Sequence, residues 1–130
     1  MAYIVHIDDN EIDRLVVKRA LERELKGIKL LSFCDVRTAE EFLMSLQKQQ
    51  DDMPDLIITD NNMPEKTGFM FLEFHRTSKE LNKIPVMMLS SSTQEKDIQK
   101  AYNLGAVSYM AKPVKPGTID HIVNLLKNKI

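Results

Sequence analysis

Leu56-Ile57-Ile58-Thr59-Asp60-Asn61-Asn62-Met63-Pro64 reads as a strand that runs straight into a carboxylate and then into a turn. Leu56, Ile57 and Ile58 follow one another with nothing polar between them, the pattern of a strand covered on both faces, as in a parallel sheet. Asp60 then falls at the carboxyl end of that strand, where open α/β sheets place their ligands. Pro64 and Gly68 punctuate the loop beyond it. An acid at this spot either caps the next loop or is the reactive group of a site. The choice turns on what the other strands deliver to the same edge.

Outward from this stretch, strand and helix patterns alternate along the whole chain. Tyr3-Ile4-Val5-His6-Ile7 is a β-branched run ending in Asp8-Asp9, and Ile12, Leu15, Val16, Ala20 and Leu25 then recur at helical spacing up to a stop at Gly27. Residues 28–33 form a second strand pattern. Thr38 and Glu41 fit a capping box for a helix through about Lys48 that carries Phe42, Leu43 and Leu46. After Asp60, a helix is expected over 68–78 and a strand over 84–89. Ser92 and Glu95 fit a second capping box, for a helix ending at Gly105. A fifth strand over 107–110 leads into Ala111-Lys112-Pro113, and Pro116 opens a last helix with the stripe Ile119, Ile122, Val123 and Leu126. Five such alternations without repeat or linker predict one α/β domain over 1–130, a parallel sheet with right-handed crossovers and helices on both faces.

Bulk properties narrow the function. The 130 residues carry 18 basic and 19 acidic side chains, a net charge of −1, which gives no broad electrostatic footprint for nucleic acid or membrane. Cys34 is the only cysteine, no apolar run reaches membrane-spanning length, and the start lacks a signal-peptide core, so a cytoplasmic location is expected.

If the five strands run parallel, one edge receives Asp8 and Asp9 from the first, Asp60 from the third, Ser90 from the fourth and Lys112 from the fifth. Two carboxylates about 4 Å apart repel by about 4 kcal/mol at an effective dielectric near 20. Three of them call for a cation, and an all-oxygen set with a loop carbonyl suits Mg2+. Lys112 can pair with Asp60 as a point charge. A metal, an ammonium and a hydroxyl around one aspartate suit phosphoryl transfer, in which Asp60 is the nucleophile of an acyl phosphate. Taken singly the pieces have plainer readings: Asp8-Asp9-Asn10 as a helix cap, Asp60-Asn61-Asn62 as a turn, Ser90 to Thr93 as a cap, and Lys112 as a solvated lysine.

Together, Asp8-Asp9, Asp60-Asn61-Asn62-Met63-Pro64, Gly68, Ser90 and Lys112-Pro113 resemble the receiver domain of two-component response regulators. The resemblance covers nearly the whole chain, with 30 residues from Asp60 to Ser90 and 22 from Ser90 to Lys112. It implies a flavodoxin-like (βα)5 fold with strand order 2-1-3-4-5, for which the chemotaxis receiver CheY is a standard example. It further implies Asp60 as phosphoacceptor, Asp8, Asp9, Asp60 and the Asn62 backbone carbonyl as Mg2+ ligands, and Ser90 and Lys112 as holders of the phosphoryl oxygens. Tyr109 resembles the aromatic switch that answers Ser90, and its plainer reading is a half-buried strand tyrosine. Ser90 stands where threonine is also common, and Val114 where phenylalanine often follows Lys-Pro.

On that resemblance the chain is a stand-alone phosphorylation switch, not an enzyme beyond its own phosphorylation and dephosphorylation. A histidine kinase or histidine phosphotransfer protein supplies the phosphoryl group. A single receiver domain without an output domain is expected, with output through a downstream protein docking on the surface from about Thr93 to Ile130. One alternative is a phosphate-independent binding module with the same fold. Another is a phosphatase of the haloacid-dehalogenase type, against which Asn62 stands where that class places a second acid. A nucleotide hydrolase lacks its Gly-x-x-x-x-Gly-Lys loop. His6 is expected to be a packed or hydrogen-bonded histidine, and Met63 and Met110 to be exposed near the active edge.

Overall fold

In a strand successive side chains point to opposite faces, so a continuous apolar run can anchor two layers of helices at once. The computed structural model describes residues 2–127 and uses the runs in that way. Its strands are β1 (Tyr3–Ile7), β2 (Lys29–Phe33), β3 (Leu56–Thr59), β4 (Val86–Ser90) and β5 (Ser108–Ala111). Between and after them lie α1 (Glu11–Glu24), α2 (Val36–Gln49), α3 (Gly68–Arg76), α4 (Glu95–Asn103) and α5 (Pro116–Leu125). The sheet is parallel throughout, as the alternation implied, and its order β2-β1-β3-β4-β5 is the one the family resemblance implied. Among the described residues no helix is long and apolar enough to cross a membrane.

Every residue of the three central strands is buried. Val5, Ile7, Ile57, Val86 and Met88 pack with α2, α3 and α4, whereas Ile4, Leu56, Ile58, Met87 and Leu89 pack with α1 and α5. Truncating one such residue, Ile58 for example, to alanine costs about 2–5 kcal/mol in lost transfer energy and cavity.

Several boundaries differ from the sequence reading, each for a local reason. Asp35, not Thr38, is the N-cap of α2: its carboxylate accepts from the Thr38 backbone N at 2.7 Å and the Thr38 hydroxyl at 2.6 Å. An acid two residues past the strand outcompetes a threonine three residues further on. Ser92 does not cap α4, whose N-cap is Gln94; the Ser92 hydroxyl donates instead to Asp97 at 2.6 Å. Strand β4 begins after Pro85, Ile84 closes a 3-10 turn over Leu81–Lys83, and β5 lies one residue later than expected. Met63 is buried. Asn128, Lys129 and Ile130, which the expected docking surface includes, lie outside the described residues.

The largest departure is the rotation of α1. The stripe of Ile12, Leu15 and Val16 was expected to face the core, yet these residues are 72%, 43% and 44% exposed, and Val17 and Leu21 are buried instead. Asn10 caps the helix, accepting from Asp13 N at 2.9 Å, and the turn it starts aims Asp13 and Arg14 at the carboxyl edge of the sheet.

Candidate functional site

Three strands extend their hydrogen-bonded ladders by one residue, and those residues are the polar ones. Asp8 N donates to Phe33 O at 3.0 Å, Asp60 N to Ile7 O at 2.9 Å and Lys112 N to Ser90 O at 2.9 Å. The pleat therefore continues: Asp8, Asp60 and Lys112 follow Ile58 and Met110 in parity and fall on the α1–α5 side. Ser90 and Tyr109 share the parity of Met88 and fall on the side of α3 and α4.

Asp8, Asp9 and Asp60 each offer one carboxylate oxygen within 4.8 Å of the others. The Lys112 ammonium reaches into the group, 2.8 Å from Asp8 Oδ2, 2.7 Å from Asp13 Oδ2 and 3.2 Å from Asp60 Oδ2. Burial works against its charge, but the close contacts with the Asp13 and Asp8 carboxylates and the charge of Asp60 outweigh that and hold it above the usual lysine range. Burial pushes the Asp8 carboxyl up, against the opposing pull of Lys112 and the Asn10 amide. Four carboxylates stand against Lys112 and Arg14, whose guanidinium donates to the Asp8 carbonyl at 2.7 Å.

Asn61 shapes the loop beyond Asp60. Its carbonyl accepts from Met63 N and Gly68 N, and its side-chain oxygen accepts from Phe69 N at 3.1 Å. The Asn61 amide donates to Asp60 Oδ1 at 2.7 Å, which fixes the carboxylate in place. Asn62 is exposed beside it, two residues past Asp60. A 2.7 Å ion pair between Lys66 and the buried Glu40 ties the same loop to α2. Ser90 Oγ is fully buried with no hydrogen-bond partner. The Tyr109 hydroxyl crosses to the Ser92 carbonyl at 2.7 Å, so this tyrosine holds the β4–α4 loop and is more than a strand residue.

The donor set suits a hard divalent cation: oxygens only, crowded carboxylates in excess of local positive charge, and a buried Asp8 Oδ2 with the Lys112 ion pair and no hydrogen-bond partner beside it.

A family profile for the response regulator receiver domain matches residues 4–124. The chain belongs to the response regulator receiver family. Among its relatives, the Arabidopsis thaliana two-component response regulators ARR17 and ARR16 are each 34% identical, covering 94% and 97% of this chain and 85% and 80% of theirs. The Vibrio cholerae chemotaxis protein CheY4 superposes with a TM-score of 0.79 at 30% identity, covering 95% of this chain and 97% of that one. The phosphorylated cyanobacterial phytochrome response regulator RcpA gives 0.82 at 26%, covering 97% and 91%. The Mn2+-bound form of response regulator Rcp1 gives 0.79 at 25%, covering 99% and 94%. The receiver fold expected from the sequence is thus the one observed.

The receiver brings Asp8, Asp9, Asp60 and Lys112 together as the edge argument required, and places Ser90 and Tyr109 on the neighbouring layer. Sequence reasoning missed Asp13, Arg14, Asn61 and the Glu40–Lys66 pair. Asp13 carried one readable signal: it stands one helical turn after Asp9, within the first turn past the Asn10 cap.

Proposed function

We propose that this receiver is a phosphorylation switch in which Asp60 accepts a phosphoryl group from the phosphohistidine of a histidine kinase or histidine phosphotransfer protein. The observation that carries the reading is the Lys112 ammonium 3.2 Å from Asp60 Oδ2 within the three-acid cluster. An Asp60 carboxylate oxygen bonds to phosphorus as the phosphorus–nitrogen bond breaks, and the electron pair stays with the donor imidazole. Asp8, Asp9, Asp60 and the Asn62 carbonyl would hold Mg2+, which when bound neutralises phosphoryl oxygens. Lys112 turns from the carboxylates to a second phosphoryl oxygen. Ser90, whose hydroxyl has no competing partner, donates to a third.

The exposed Ile12, Leu15 and Val16 of α1 form an apolar face beside the acids, which supports a protein as phosphodonor. The added charge of about −1.5 to −2 favours one of two states. Movement of Ser90 reaches Tyr109 through the β4–α4 loop that Tyr109 holds. Output is by docking of a downstream protein on the α4-β5-α5 surface, where Tyr102 and Val107 are exposed, with no nucleic acid or membrane involved. On this reading residues 1–130 form one receiver domain, in the cytoplasm.

Incubation with Mg2+ and acetyl phosphate should add one phosphoryl group, located at Asp60 by mass spectrometry. Equal labelling of Asp60→Asn would overturn the assignment. Steady turnover of a small phosphomonoester would favour the phosphatase alternative, and failure to bind Mg2+ the phosphate-independent module.

A further inference from the structure

Two buried polar groups without hydrogen-bond partners face each other beneath the acid cluster. His6, in the middle of β1, is fully buried, and neither ring nitrogen has a partner. Asp8 Oδ2, on the same side of the strand, lies 3.9 Å from His6 Nε2. That oxygen has the Lys112 ammonium at 2.8 Å as an ion-pair partner and no hydrogen-bond partner beside it. Unpaired buried polar groups are rare because each forfeits its hydration. His6 is flanked by Ser32 on β2 and Ile58 on β3, in a strand otherwise made of Tyr3, Ile4, Val5 and Ile7. An aliphatic side chain would serve packing at this position without that cost.

We propose that His6 is a positioning residue for Asp8, donating its Nε2–H to Asp8 Oδ2, directly or through one water, and so keeping the carboxylate turned to the cation when Lys112 leaves for the phosphoryl group. The inference rests on the phosphorylation reading above. Asp8 Oδ1 already accepts the Asn10 amide at 2.9 Å, so Oδ2 is the oxygen whose orientation Lys112 controls. Once Lys112 shares its charge with phosphoryl oxygens, Oδ2 needs another donor, and His6 is the buried side chain across the 3.9 Å gap. Groups that hold metal-binding carboxylates by hydrogen bonds tune affinity without touching the ion. An imidazole carries at least one ring N–H, and neither ring nitrogen of His6 is committed to another partner.

The test uses the full chain, Mn2+ as probe and calorimetric titration as readout. His6→Leu should weaken Mn2+ binding by about tenfold or more, the range found when such supporting groups are removed. His6→Gln, which returns an N–H near Nε2, should recover most of the loss, and His6→Leu should melt no earlier than the parent. Parent-like Mn2+ affinity in His6→Leu, or a Gln variant as weak as the Leu variant, overturns the proposal. In the parent chain, 15N spectra of the imidazole with Mg2+ bound should show the Nε2–H tautomer; the Nδ1–H tautomer overturns it even if the variants do not fold. A parent that takes up no Mn2+ sinks the cation reading itself, an outcome distinct from binding that is indifferent to His6.

Discussion

A methyl group added at Gly68 would stand 2.2 Å from the Asp60 carbonyl oxygen and 3.0 Å from the Asn61 Cα, both backbone atoms with no side-chain freedom to yield. Carbon and oxygen settle at about 3.3 Å or more, so in Gly68→Ala the loop or α3 must retreat by about 1 Å. The Asp60 carbonyl also accepts from the Thr59 hydroxyl at 2.8 Å, and the Gly68 amide donates to Asn61 O at 3.1 Å, so the retreat strains both bonds. Overpacking of this kind costs about 1–3 kcal/mol. The better helix propensity of alanine returns at most about 1 kcal/mol. A net loss of about 1–2 kcal/mol should lower the melting temperature by about 3–10 °C. The chemistry should suffer more, because a shift of about 1 Å in a reacting group slows a positioned reaction by about 100-fold. Thermal unfolding and acetyl phosphate labelling read the two effects separately. Gly117, in α5, has nothing within 4 Å of an added methyl, so Gly117→Ala should label normally and melt at or above the parent temperature. A Gly68→Ala chain that melts and labels like the parent would refute the close-approach argument.

Lys112→Met should bind Mn2+ more tightly while losing phosphoryl uptake, since a lysine charge about 5 Å from a divalent ion costs about 7 kcal/mol at a dielectric of 20 before solvent screening; unchanged Mn2+ affinity in calorimetry would count against this charge balance. Tyr109→Phe loses the donation to the Ser92 carbonyl, about 1 kcal/mol, and hydrogen exchange of the 91–94 amides should quicken about fivefold. Identical exchange would show that the tyrosine does not hold the loop. His75 is held below the usual histidine range, mainly by burial, although Nε2 contacts Ile84 O at 2.7 Å. The unfolded chain therefore takes up its proton first, and stability should fall as pH drops through 6.5 toward the folded value. Buried His6, held at about 4, adds to the same decline. Urea denaturation at pH 7.5 and 5.5 should show a smaller loss in His75→Gln than in the parent.

The architecture was legible because its signals are periodic. Leu56-Ile57-Ile58 announces a two-faced strand, and acids immediately after apolar runs can only collect at the carboxyl edge of a parallel sheet. Asp8, Asp9, Asp60 and Lys112 followed from that geometry. The face of α1 was not legible in the same way. Hydrophobic spacing favoured Ile12, Leu15 and Val16 for the core, and the helix instead turned its acid and its arginine inward, because Lys112 and the Asp8 carbonyl offer them partners. Those partners are distant in sequence, so no local pattern reports them. The same holds for Glu40 and Lys66, 26 residues apart. Asp35 and Thr38 are each good caps, and only the path of the chain leaving Phe33 decides between them.

The pleat divides the working parts between two layers. Asp8, Asp60 and Lys112 belong to the layer of α1 and α5, Ser90 and Tyr109 to that of α2, α3 and α4, and the two apolar clusters have no residue in common. In a molecule that works as proposed, α1 chooses who donates, while α4 and β5 together with α5 choose who listens, so the listening surface borrows one helix from the donating layer. Changes at the exposed Ile12, Leu15 and Val16 can then rewire the supply side without touching the audience side, whereas changes in α5 reach both. A chain built this way can be recruited into a new circuit half at a time.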